Sequence, residues 1–248
     1  MTDTNVGRTG PWPGILLIVA AIALVVASAA EFAPGEIRGN GDDPAESIAF
    51  LRAASEFYGY SGGALIAGGA ALIAGVIGVA RIVRGGGLSY AYLVACCFGV
   101  LAGGFLAVAG VLRLNATGTV LHISDLDASW GESAYLVVQM AGTQGLIATG
   151  MIGLSGWLVG TAILAARRRL GGLAVVGVLP AAILLLLTVD VVAPFAVFPD
   201  AVFLVYIAAI TIGLPGGLLV LGVATALVHT VCTRLGTSPT SDPAGEAA

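Results

Sequence analysis

Six stretches of roughly twenty or more apolar residues dominate this chain, each long enough to cross about 30 Å of hydrocarbon at about 1.5 Å per helical residue. They run Trp12–Ala30, Tyr60–Val83, Leu88–Leu112, Tyr135–Ala166, Leu173–Ala193 and Ala201–Val231. Residues are 58% hydrophobic and only 10% charged, and the mean hydropathy is +1.02. Soluble domains carry about one quarter charged residues, so a water-soluble globule is excluded. Within lipid each backbone amide must bond inside its own segment, and the expected fold class is therefore all-α, a polytopic transmembrane helical bundle. The first stretch reads as a retained helix, because it is longer than a signal h-region and lacks a small-residue cleavage motif.

Orientation follows from arginine, the sole basic residue type besides histidine. Arg8, Arg81, Arg84, Arg167, Arg168, Arg169 and Arg234 all fall on one side of a six-span arrangement. Short basic loops stay cytoplasmic, which puts both termini inside. The opposite side carries eleven carboxylates against Arg38, Arg52 and Arg113, so the outer face is acidic. A multi-pass protein of a cell membrane, in all expectation the cytoplasmic membrane of a bacterium, fits this pattern. Residues 1–235 read as one six-helix domain and 236–248, rich in Ser, Thr, Pro, Gly and Ala, as a disordered cytoplasmic tail.

Local structure outside the spans is legible in one place. Asp43, Pro44 and Glu46 have the cap, first-turn and capping-box positions of a helix start, predicting a short outer helix over residues 44–58. Ile48, Leu51, Ala54, Phe57 and Tyr58 give it an apolar stripe that packs on the bundle or lies on the membrane surface, with bundle packing favoured. The stretch Leu114–Ser133 is polar and reads as a second outer loop, with Trp130 as an interfacial anchor.

Residues that bear chemistry are few. The chain has no lysine, which excludes a Schiff base with retinal or pyridoxal phosphate. His122 and His229 fall on opposite sides and cannot ligate one haem, while His229 and Cys232 are too few for a zinc site. His122, Asp125, Asp127 and Glu132 lack the calcium-loop pattern and read as solvated. Cys96 and Cys97 are adjacent in mid-span and read as buried small apolar residues. No catalytic residue, cofactor or metal is expected.

Small-residue pairs at Gly99/Gly103, Gly156/Gly160 and Gly213/Gly217 permit close helix approach, and Pro215 predicts a break in the sixth span. Gln139, Thr143 and Gln144 form a polar group in the fourth span, either bonding between helices or lining a solute path, with helix bonding favoured. Arg113 and Asp190 lie near the outer ends of the third and fifth spans, where pairing competes with separate snorkelling.

The Gly41-Asp42-Asp43-Pro44-Ala45 helix start and the Arg167-Arg168-Arg169-Leu170-Gly171-Gly172 turn, with the short N-terminus, resemble the bacterial six-helix proteins grouped as domain of unknown function 4386. The resemblance spans about Ile15 to Leu235 and implies the same membrane bundle, with no activity or functional residue to carry over.

Two functional classes stand open. One is a non-enzymatic membrane component or accessory subunit, in contact with the lipid bilayer and with a second copy or another membrane protein; no nucleic-acid partner is expected. The other is a small transporter or permease for a small or lipophilic solute. The first is preferred, because mid-membrane charges that mark ion pathways are missing from the spans. No HExxH, no GxSxG and no mid-membrane aspartate pair supports an enzyme.

Overall fold

The computed structural model describes residues 10–32, 44–84, 90–167, 177, 180 and 209–236. These are helical almost throughout, in the order α1 (Trp12–Phe32), α2 (Pro44–Ala53), α3 (Ser55–Arg84), α4 (Tyr90–Leu126), α5 (Ala128–Ala134), a π-helical segment (Tyr135–Gln144), α6 (Gly145–Arg167), a π-helical turn (Ala209–Gly213) and α7 (Leu214–Gly236). Four of the described helical stretches are long and apolar enough to cross a membrane: Trp12–Ala30, Ser55–Val83, Tyr90–Leu126 and Ala128–Arg167. Apart from residues 177 and 180 the expected fifth span lies outside the described residues, as do Asp190 and the tail beyond Gly236.

Helix α1 starts after Gly10, whose φ of 57° lies in the left-handed region that glycine enters without Cβ strain. Pro13 then occupies its first turn, where a missing N–H costs nothing. Neighbouring helices run antiparallel, α1 lying between α7 and α3 and α4 between α3 and α6. Leu17, Leu72, Leu106, Leu154, Trp157 and Leu218 fill the shared core and are fully buried.

Glycine decides how closely these helices approach. A Cβ on Gly69 would lie 2.4 Å from the Gly103 carbonyl oxygen, and one on Gly103 would lie 2.6 Å from that of Gly69. Gly62 and Gly110 repeat the reciprocal contact seven residues along each helix, and Gly14 with Gly222 makes it between α1 and α7. Backbone thus meets backbone, where Cα–H groups and carbonyls can interact directly. The working spacing between α3 and α4 is seven residues, the period of a left-handed antiparallel crossing, and not the expected four. Of the predicted pairs, Gly99 closely approaches Trp157 and Val76, Gly103 meets Gly69 and Gly160 abuts Ala95, while Gly156 is looser against Phe98.

Three further expectations are corrected. The stretch from Leu114 is not a loop: α4 continues to Leu126, turns at Asp127 and reverses as α5. Its polar residues bond to their own helix, Asn115 Nδ2 to Val111 O at 2.9 Å, Thr117 Oγ1 to Arg113 O at 2.7 Å and Thr119 Oγ1 to Asn115 O at 2.9 Å, so polarity does not break the ladder. The helix predicted over 44–58 ends at Ala53, and α3 begins at Ser55 after a one-residue bend at buried Ala54. Ile48 and Leu51 bury against Val120 and Tyr135, which is the bundle-packed arrangement. The start of the fourth span is π-helical and not α-helical. Before Pro215 the π-helical turn gives way to α7, so the chain is irregular where proline predicts a break.

Candidate functional site

The most distinctive chemistry among the described residues is a polar layer inside an apolar bundle. Six polar side chains are buried, Ser61, Arg113, Thr117, Gln139, Thr143 and Ser155. The antiparallel register gathers the first five within two adjacent helical turns. Leu106 packs on Gly150 and Leu112 reaches Gly142, which sets Arg113 level with Thr143 and Thr117 level with Gln139. Arg113, only 3% exposed, sends Nη1 2.6 Å to Ser61 Oγ on α3. Its guanidinium carbon sits 5.1 Å from the centre of the Tyr58 ring, a cation–π contact, and Phe50 meets that ring edge-on at 6.2 Å. The cation is therefore held between α3 and α4 beneath α2, where the guanidinium's own planar fork can donate to Ser61 while its face meets Tyr58, which a lysine ammonium would do less well.

Opposite stands the π-helical segment. Gln139 is 1% exposed and Thr143 fully buried, and Thr143 Oγ1 donates to Val138 O at 3.1 Å with Gln139 Oε1 at 3.5 Å. π-Helical geometry is rare beyond single turns and concentrates where function needs an irregular backbone. Ten residues of it, from Tyr135 to Gln144, form one wall of the polar layer. Of the predicted polar group, Gln139 and Thr143 face the interior, whereas Gln144 is exposed and does not line it. For the predicted Arg113–Asp190 pair only the arginine lies among the described residues.

Above this layer, towards α2, lies a small cap. Ile48 and Leu51 of α2, Val120 of α4 and Tyr135 pack together. Arg52 pairs with Asp125 at its surface, an exposed contact of little energetic weight. Asp127 caps α5: the Ser129 hydroxyl donates at 2.7 Å and the Ser129 amide at 2.9 Å. Those donors, with the Trp130 amide, hold its carboxyl below the usual carboxylate range. His122 is exposed on α4, and among the described residues no group of three His, Cys, Asp or Glu could hold a metal ion. The side chains of His229 and Cys232 lie outside the description. Cys96 is buried but Cys97 faces outward, correcting the reading of both as core residues.

Reasoning from sequence missed Ser61, Tyr58 and Thr117. Ser61 and Tyr58 stand three apart on one helical face, a spacing that points to a shared partner only once Arg113 is known to lie opposite. It also missed Ser155 Oγ, buried in the core with no hydrogen-bond partner among the described residues. No family model, curated protein or solved structure matches the chain.

Proposed function

We propose that the chain is a six-span protein of the cell membrane, with both termini cytoplasmic, that acts as a non-enzymatic membrane component assembled with a partner. The hydrocarbon slab in this reading runs between two aromatic levels. Trp12 and Tyr90 are exposed near the arginine-bearing ends of α3 and α6, and exposed Tyr60 marks the other boundary near Phe32 and Leu114. The outward face of α4 supports that boundary, since it is apolar through Phe98, Leu101, Val108, Val111 and Leu114 and carries Asn115, Thr119, His122 and Asp125 beyond it, before Leu126 ends the helix.

The reciprocal glycine contacts between α3 and α4 carry the functional reading. Backbones touching at two places seven residues apart resist sliding or rocking, which favours a rigid scaffold over a carrier that alternates its access. Purification in native membrane discs followed by identification of co-purifying subunits tests it. A stoichiometric membrane partner is the expected result, and solute flux catalysed by the purified chain alone in liposomes would refute it.

The polar layer beside the π-helical segment favours the second reading, a small transporter or permease. Irregular helices and buried polar side chains line solute sites in such proteins. The same flux measurement separates the two.

A further inference from the structure

The corner between α4 and α5 carries large apolar side chains that the bundle does not cover. Leu126 is 75% exposed and Trp130 is 70% exposed, on either side of Asp127. Gly131 packs against Ser124, which puts Trp130 level with Asp125. That level is eleven residues past Leu114 along an unbroken helix, or about 16 Å beyond the slab boundary proposed above. At that height Trp130 stands in water and cannot anchor at the interface. Trp and Leu exposed side by side with few apolar neighbours offer a partner burial area that the chain itself does not use.

Charge selects the occupant. Asp125, Asp127 and Glu56 are exposed on the cap, and Arg52, its one exposed arginine among the described residues, pairs with Asp125. We propose that this corner is a docking knob for a cationic polypeptide segment of a partner protein, one that sets an Arg or Lys over the Trp130 face and an aliphatic side chain against Leu126. An anionic bilayer and a second acidic corner would both be repelled. A basic segment gains cation–π contact, apolar burial and long-range attraction together. This inference rests on the slab placement.

The test uses the full chain in discs of phosphatidylcholine, a zwitterionic lipid that does not itself attract the probe. The probe is a labelled peptide of about ten residues alternating Arg and Leu, and its counterpart has Glu in place of Arg. The arginine peptide should bind, weaken about tenfold or more between about 0.05 and 0.5 M salt, and lose a further three- to tenfold, roughly, on Trp130→Ala. Leu126→Ser should weaken it as well, while Trp130→Phe should retain most of the binding. Equal binding of the glutamate peptide, indifference to Trp130→Ala, or Trp130-dependent self-association in its absence would each overturn the proposal. Brominated lipids separate the slab reading from the docking reading. If they quench the fluorescence lost in Trp130→Phe, Trp130 sits in lipid and the slab placement has failed. An unquenched Trp130 with no peptide binding leaves the slab standing and removes the knob.

Discussion

Arg113 on α4 is tied to Ser61 on α3 by a 2.6 Å hydrogen bond from Nη1 to Oγ, inside the bundle and almost without exposure. A buried charge-assisted bond of this kind is worth about 1.5–3 kcal/mol. Ser61→Ala should therefore lower the unfolding free energy by an amount in that range, read by graded denaturation in detergent. Arg113→Met should cost at least as much, and the double variant should recover part of the summed loss. Strictly additive losses would show that the two side chains are not coupled. Adding Asp190→Asn to the cycle tests the arginine–aspartate pairing separately.

Glycines in the interhelical seam and glycines on the open surface should respond oppositely to alanine. Gly69→Ala or Gly103→Ala drives a methyl into a facing carbonyl and should destabilise by about 1–3 kcal/mol. Gly104 has nothing within 4 Å of its would-be Cβ. Gly104→Ala should be neutral or stabilise by up to about 1 kcal/mol through helix propensity. Equal effects at Gly69 and Gly104 would contradict the backbone contact.

The capped carboxylate of Asp127 makes a pH prediction. Its folded-state pKa lies below the unfolded value, so its contribution is present above the unfolded pKa and is lost as pH falls through the folded one. Acidification from about pH 6 to pH 3 should destabilise the wild-type chain more than Asp127→Asn, which keeps an oxygen acceptor without the titration. Parallel loss in both proteins would mean that this cap does not titrate with folding.

Topology is checked by accessibility. In a cysteine-free background, a cysteine at Asp127 should react with an impermeant thiol reagent in intact cells, and one at Gly86 should be protected. Labelling of Gly86 from outside would reverse the proposed orientation.

Helix class and the first four long apolar stretches were readable from composition and run length alone, because lipid leaves the backbone no other way to satisfy its amides. Burial of Ile48 and Leu51 followed from their spacing in the same way. What the sequence by itself could not reveal was where polar residues go. Leu114 to Leu126 looks like a loop until Thr117 and Thr119 are seen to return their hydroxyls to the helix, and that helix then carries the chain on to the corner at Asp127 where Trp130 is exposed. Arg113 is separated from Ser61 by 52 residues and from Thr143 by 30, and only the antiparallel register brings them level. That register is set by glycines meeting across helices, Gly62 with Gly110 and Gly69 with Gly103, whereas a sequence displays glycine spacing only within one helix. Run length is a property of one segment, but close contact is a property of two, and so tertiary structure alone decided the seam, the polar layer and the exposed corner.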